Sequence, residues 1–235
     1  MLLIFLDEAD NMKKLLALSA FTVIATAGAQ TVSTQPFELG LTGGYAAGLS
    51  GEVFVHAPFV AGPFGVKAGV AFTRAADAIN DESELAPGTG TFGSFKAAGA
   101  TESGSHTVVS LDGTYSLGEI APGLDTMIYA GGRYGMFRAT EDYGSGLNTT
   151  YTSNAFGIGA GFMASYALSG NLSLVGDLGI DHFFDATINS NTNRAGGTTD
   201  SDSFAPGDPS YDAIDNRFVR PGTNFKARIG FKMMF

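Results

Sequence analysis

The chain has 235 residues, a formal net charge of −10 and no cysteine. An acidic protein without a basic stripe is a poor nucleic-acid binder, and the lack of cysteine removes disulfide staples and cysteine-ligated metals. Apolar content is 44%, with 33 glycines and no tryptophan, and no apolar run approaches the ~20 residues of a spanning helix, which excludes a helical membrane protein but not a barrel of half-apolar strands.

Residues 1–29 read as a leader. Met12-Lys13-Lys14 supplies a positive start, residues 15–26 an apolar stretch, and Ala27-Gly28-Ala29 a small-x-small cleavage site, so the mature chain is expected to begin at Gln30. Asp7, Glu8 and Asp10 are wrong for the start of an export signal, so Met12 is taken as the true start and residues 1–11 as a start-site artefact. The leader carries three acids and two bases, which leaves the mature chain, residues 30–235, at about −9.

From Gln30 onward, eight stretches alternate with a two-residue rhythm, the mark of a strand with one face in an apolar medium and one in a polar place. The first, 37–46, sets Phe37, Leu39, Leu41 and Tyr45 against Glu38, Gly40 and Thr42. A tight turn at Gly48 leads to 51–57, with Val53 and Val55 against Glu52, Phe54 and His56, and prolines at 58 and 63 are expected to break it. The third, 64–73, puts Phe64, Val66, Val70 and Phe72 opposite Lys67 and Thr73. A polar segment, 74–105, precedes 106–117, where Val109, Leu111, Tyr115 and Leu117 oppose Ser110, Asp112, Thr114 and Ser116. After a Pro122-Gly123 turn, 125–138 sets Ile128, Ala130, Tyr134 and Met136 against Tyr129, Arg133 and Phe137, and a loop is expected over 139–152. In 154–168, Phe156, Ile158, Phe162 and Tyr166 face one way and Gly157, Gly159, Gly161 and Ser165 the other. Ser169-Gly170 is a hairpin turn into 171–184, with Leu172, Leu174, Leu178 and Ile180 against Ser173, Val175, Asp177 and Asp181. A polar stretch, 185–222, leads to the last strand.

That strand, 223–235, carries Phe225, Ala227, Ile229, Phe231, Met233 and Phe235 on one face and Asn224, Lys226, Arg228, Gly230 and Lys232 on the other. Connections two, four and six are short, and three, five and seven are long. This sorting of loops, with eight strands, a leader and a terminal aromatic, resembles the small eight-stranded bacterial outer-membrane barrels of the OmpA transmembrane domain, OmpX and OmpW type. The resemblance covers nearly the whole mature chain and lies in architecture rather than in a short motif. It implies an all-β, antiparallel, up-and-down transmembrane β-barrel, a residence in the outer membrane, and a terminal signal (Phe231, Met233, Phe235) read by the barrel-assembly machinery. The peptidoglycan-binding domain of full-length OmpA is not implied. In lipid every backbone polar group must be paired internally, so such a sheet has to close. Tyr45, Phe72, Tyr115, Tyr134, Tyr166 and Phe231 stand where an interfacial aromatic ring belongs.

The inward rows collect five acids, Glu38, Glu52, Asp112, Asp177 and Asp181, and five bases, Lys67, Arg133, Lys226, Arg228 and Lys232. Charges in a narrow barrel are costly unless paired, and an eight-stranded lumen is about filled by side chains, so a salt-bridged plug is expected. Asp181-His182 could form half of a hydrolytic dyad, but neighbours on a strand point to opposite faces. His56 and His106 read as polar rim residues. Gly157-Ile158-Gly159-Ala160-Gly161 lacks nucleotide-loop spacing and reads as room for crossing arginine and lysine side chains. Asp200, Asp202, Asp208, Asp212 and Asp215 could suit Ca²⁺, yet the third ligand and the glycine of a calcium loop are missing. A solvated acidic loop is the reading adopted, with no metal, cofactor or catalytic set assigned.

The function expected is a non-enzymatic envelope protein, structural or interacting through exposed acidic loops. Its expected partners are outer-membrane lipid, the assembly machinery and other surface or envelope proteins, with a monomeric barrel and no nucleic acid. The alternative is an OmpW-like conduit for small hydrophobic molecules, with Phe54, Phe137, Val175 and Phe183 as its inward apolar residues; a barrel enzyme acting on lipid ranks third.

Overall fold

The computed structural model describes residues 36–75, 77–84 and 88–235. The expected leader, the start at Met12 and the cleavage after Ala29 lie outside the described residues. The strands are β1 (Glu38–Ala46), β2 (Gly48–Ala61), β3 (Phe64–Ala75), β4 (Thr101–Ala121), β5 (Leu124–Asp142), β6 (Asn148–Ser169), β7 (Leu172–Phe183), β8 (Ile188–Asn193), β9 (Thr199–Phe204) and β10 (Thr223–Met234). Two short helices, α1 (Phe92–Ala97) and α2 (Tyr211–Arg217), lie in the connections before β4 and β10.

Eight strands close into a ring, in the order β1-β2-β3-β4-β5-β6-β7-β10 and back to β1, with every neighbouring pair antiparallel. Closure leaves no unpaired edge within the ring, which is what a sheet in hydrocarbon requires. The seam is held by β1 against β10, from Glu38 opposite Met234 to Ala46 opposite Lys226. At its end Phe235 N–H donates to the Phe37 carbonyl at 2.9 Å and the two rings stack, 5.2 Å between centroids.

The alternation sorts side chains by chemistry. Leu41, Val53, Leu111, Phe156, Leu178, Phe225 and Ile229 all project outward with half or more of their surface exposed. A water-soluble monomer rarely exposes a contiguous apolar patch above a few hundred Å², and here the apolar rows run round the ring. The inner face is buried and mostly polar, apart from two apolar clusters.

Four strands, β2, β4, β5 and β6, run well past their sequence pattern. β4, β5 and β6 extend past the apolar band because their outward rows turn to serine, threonine and asparagine there, which hides the alternation. The expected loop 139–152 is mostly hairpin, with Thr140 opposite Thr150 and Asp142 opposite Asn148. The polar stretch 185–222 contains β8 and β9; β8 continues along β6, and β9 pairs with β8. Pro58 does not end β2, because it sits in the irregularity between Ala57 and Ala61, where the ladder has no bond for it to interrupt.

Candidate site: the barrel interior and its cap

All ten charged residues of the inward rows lie inside the ring, and nine of them pair with an opposite charge. Toward the end with the short turns, Glu38 accepts from Lys232 Nζ at 2.7 Å and contacts His56 Nδ1 at 2.7 Å, while His56 Nε2 reaches Thr114 Oγ1 at 2.9 Å. In the middle, Glu52 accepts from Lys67 Nζ at 2.6 Å and from Arg228 Nη1 at 2.5 Å. Beyond it, Arg133 donates to Asp112 at 2.6 Å and to Asp181 at 2.7 Å, and Lys226 Nζ donates to Asp181 at 3.0 Å. Alternation puts these groups inward, and closure brings β2, β3, β4, β5, β7 and β10 within one side-chain length of each other.

Asp177, expected to pair with a base, has none within salt-bridge distance. Fully buried on β7, it accepts from the Tyr129 hydroxyl at 2.6 Å. Tyr129 also underlies two ammonium groups, with Lys67 Nζ 5.2 Å and Lys226 Nζ 5.3 Å from its ring centroid, an arrangement the ring's negative face favours. The neutral phenol of Tyr129 lies outside any tally of formal charges.

The glycines of β6 make the crossings possible. A Cβ on Gly159 would overlap the Asp181 carboxylate and the Arg133 guanidinium, and one on Gly161 would overlap the Tyr129 hydroxyl. The space left is small: a cavity of about 20 Å³ lies among Glu52, Arg133, Phe137, Asp181, Lys226 and Arg228, room for about one water. A wider recess of about 110 Å³ opens at the short-turn end by Glu38, His56 and Lys232.

The end with the long connections carries a second, apolar layer. Phe137 and Phe183 meet edge to face, 4.9 Å between centroids, and pack with Ile79, Phe92, Tyr151, Ile188, Tyr211 and Phe218. Phe54 and Val175 belong instead to a cluster with Met127, Tyr129 and Met163. Into the outer layer is set a buried pair absent from the sequence reading. Arg217 Nε on α2 donates to Glu141 Oε2 at 3.0 Å, Arg217 Nη1 to Ser83, and Arg217 Nη2 to the Tyr143 hydroxyl at 2.7 Å. Burial, then the charge of Glu141, pushes the Tyr143 phenol up to about 12. The segment before α1 is pinned by Glu102, which accepts from the backbone N–H of Ala78 and Ile79; Thr91 caps α1 by accepting from Ser94 N–H. Isolated large apolar residues in polar segments, Ile79, Phe92, Ile188 and Phe218, were the available signal for this layer.

His56 and His106, expected at the rims, are instead buried, because the inner wall continues past both of them; His106 lies edge-on to Phe137. His182 faces outward and bonds Thr223 Oγ1, while Asp181 points in. In the acidic stretch Asp200 pairs with Arg194 and Asp215 with Arg220, and Asp208 accepts from the Ala205 N–H. Among the described residues no group of three or more His, Asp or Glu side chains is placed to hold a metal ion. Phe231, Met233 and Phe235 all sit on the outer wall at the short-turn end.

A closed ring with an apolar exterior and a buried ionic interior defines a transmembrane β-barrel. The crystal structure of a major outer membrane protein from Thermus thermophilus is 32% identical to this chain, covering 85% of it and 98% of its own length, with a TM-score of 0.77. Acinetobacter baumannii CarO2 (13% identity, TM-score 0.43, 85% of this chain and 98% of its own) and Neisserial surface protein A (13%, 0.38, 85% and 95%) are much more distant. No family model and no curated protein matches the sequence. The chain belongs to the family of small eight-stranded outer-membrane β-barrels that includes the Thermus protein, and its place is the bacterial outer membrane.

Proposed function

We propose that this barrel is a non-enzymatic, non-conducting envelope protein, with a structural or surface-interaction role exerted through its long acidic connections. The observation that carries the reading is the stack of ion pairs, from Glu38–Lys232 through Glu52–Arg228 to Asp112–Arg133–Asp181, beneath the apolar layer around Phe137 and Phe183. Removing either partner of such a pair leaves a buried charge uncompensated, so the stack resists opening. A conduit for hydrophobic molecules would need free volume near Phe137 and Phe183, where the adjoining cavity is only about 20 Å³. The opposite orientations of Asp181 and His182 argue against a hydrolytic dyad. On this reading the barrel is monomeric, and the assembly machinery reads Phe231, Met233 and Phe235.

Planar-bilayer recording together with a lipid-hydrolysis assay tests the proposal. The expected result is a quiet bilayer and no turnover. Steady single-channel steps would refute the plug, and turnover abolished by His182→Ala would refute the non-enzymatic assignment.

A further inference from the structure

Nine lysines and arginines among the described residues lie within salt-bridge distance of a carboxylate. The two that do not, Arg74 and Arg138, stand in one cross-strand row. Arg74 on β3 is opposite Ser105 on β4, and Ser105 is opposite Arg138 on β5. All three point outward, and two strand spacings place the arginine Cα atoms about 10 Å apart. In a chain of net charge −10, with acids on the connections before β4 and before β10, two exposed guanidinium groups left unpaired in one cross-strand row call for an anion from outside the protein.

Their depth in the membrane says what kind of anion. The next row toward the short turns is Phe72–Thr107–Met136, and the one after it is Val70–Val109–Tyr134, which belongs to the apolar band. The next row outward is Ser103–Thr140, followed by Thr101–Asp142. The arginine row therefore marks the level at which acyl chains give way to head groups. A guanidinium presents a planar fork that matches phosphate oxygens, and Ser105 supplies a hydroxyl between the two forks. A free phosphate would approach against the net charge of the whole protein; a lipid phosphate is brought there by its own acyl chains.

We propose that Arg74, Ser105 and Arg138, at the end with the long connections that outer-membrane barrels turn to the cell exterior, bind the phosphate-bearing head group of an outer-leaflet lipid, whose acyl chains lie along Phe72, Val109 and Met136. The test uses the purified, detergent-solubilised barrel, with bound lipid read by native mass spectrometry. The probes are phosphatidic acid, its uncharged counterpart diacylglycerol, and inorganic phosphate alone. Phosphatidic acid is expected to be retained about tenfold over diacylglycerol. Arg74→Gln/Arg138→Gln should abolish that preference while the heat-modifiable gel mobility of the folded barrel persists, and each single variant should lose part of it. Arg194→Gln, which removes an exposed arginine on the β8–β9 hairpin, should leave the preference intact. The proposal fails if the double variant retains it, if Arg194→Gln lowers it equally, or if inorganic phosphate binds as tightly as the lipid.

Discussion

Arg133 holds two carboxylates at once, Asp112 and Asp181, and so concentrates much of the interior's electrostatic risk in one side chain. Arg133→Met would keep the apolar stem but strand Asp112 in a buried site and leave Asp181 to Lys226 alone, and should cost about 3–5 kcal/mol, read from urea unfolding in lipid vesicles; an unchanged midpoint would show that water already solvates Asp112. Gly159→Ala tests the same crossing sterically. Its added methyl meets the Arg133 and Asp181 side chains and should cost about 1–3 kcal/mol in the same measurement. Tyr143 gives a pH test outside the membrane. Its phenol titrates near 12 when folded and near 10 when unfolded; the raised value means that the cap retains a proton the opened chain gives up. The resulting stability is fully present below pH 10 and lost as pH rises from 10 to 12. Hydrogen-exchange protection at the Arg217–Glu141 layer, taken relative to the unfolded chain at the same pH, should fall across that window, and Tyr143→Phe should flatten the response.

At the scale of elements, the seam between β1 and β10 depends on the chain's last residue, through the Phe235–Phe37 stack and backbone bond. Deleting Phe235 removes both, and should lower the yield of heat-modifiable, membrane-inserted protein; undiminished insertion would show that the terminus is dispensable. The eight ring strands were legible in the sequence because an apolar outside and a polar inside impose period 2 wherever lipid is present, as in Phe225, Ala227, Ile229 and Phe231. Where lipid ends, the signal ends too. Thr150 and Thr152 face water and Thr149 and Ser153 face the interior, so polar meets polar and the outer third of β6 looks like loop. The Arg217–Glu141 pair was invisible for another reason: its members are far apart in sequence, and only the folded connections bring them together. Tyr129 was placed on the correct face, but its bond to Asp177 follows from ring closure rather than from any local pattern.

At the scale of the molecule, the fold is a wall with two chemistries, and both depend on the barrel being closed. The outer apolar rows need lipid, and the inner charges need one another. Because the chain has no cysteine, introduced thiols on β4 report both faces without background. The most direct measurement is the labelling of Leu111→Cys and Ser110→Cys, one on each face of adjacent positions, in native outer membrane with lipid-soluble and with charged maleimide. The account predicts that Leu111→Cys reacts with the lipid-soluble reagent alone and that Ser110→Cys reacts with neither; rapid modification of Ser110→Cys by the charged reagent would mean a water-filled lumen and would contradict it.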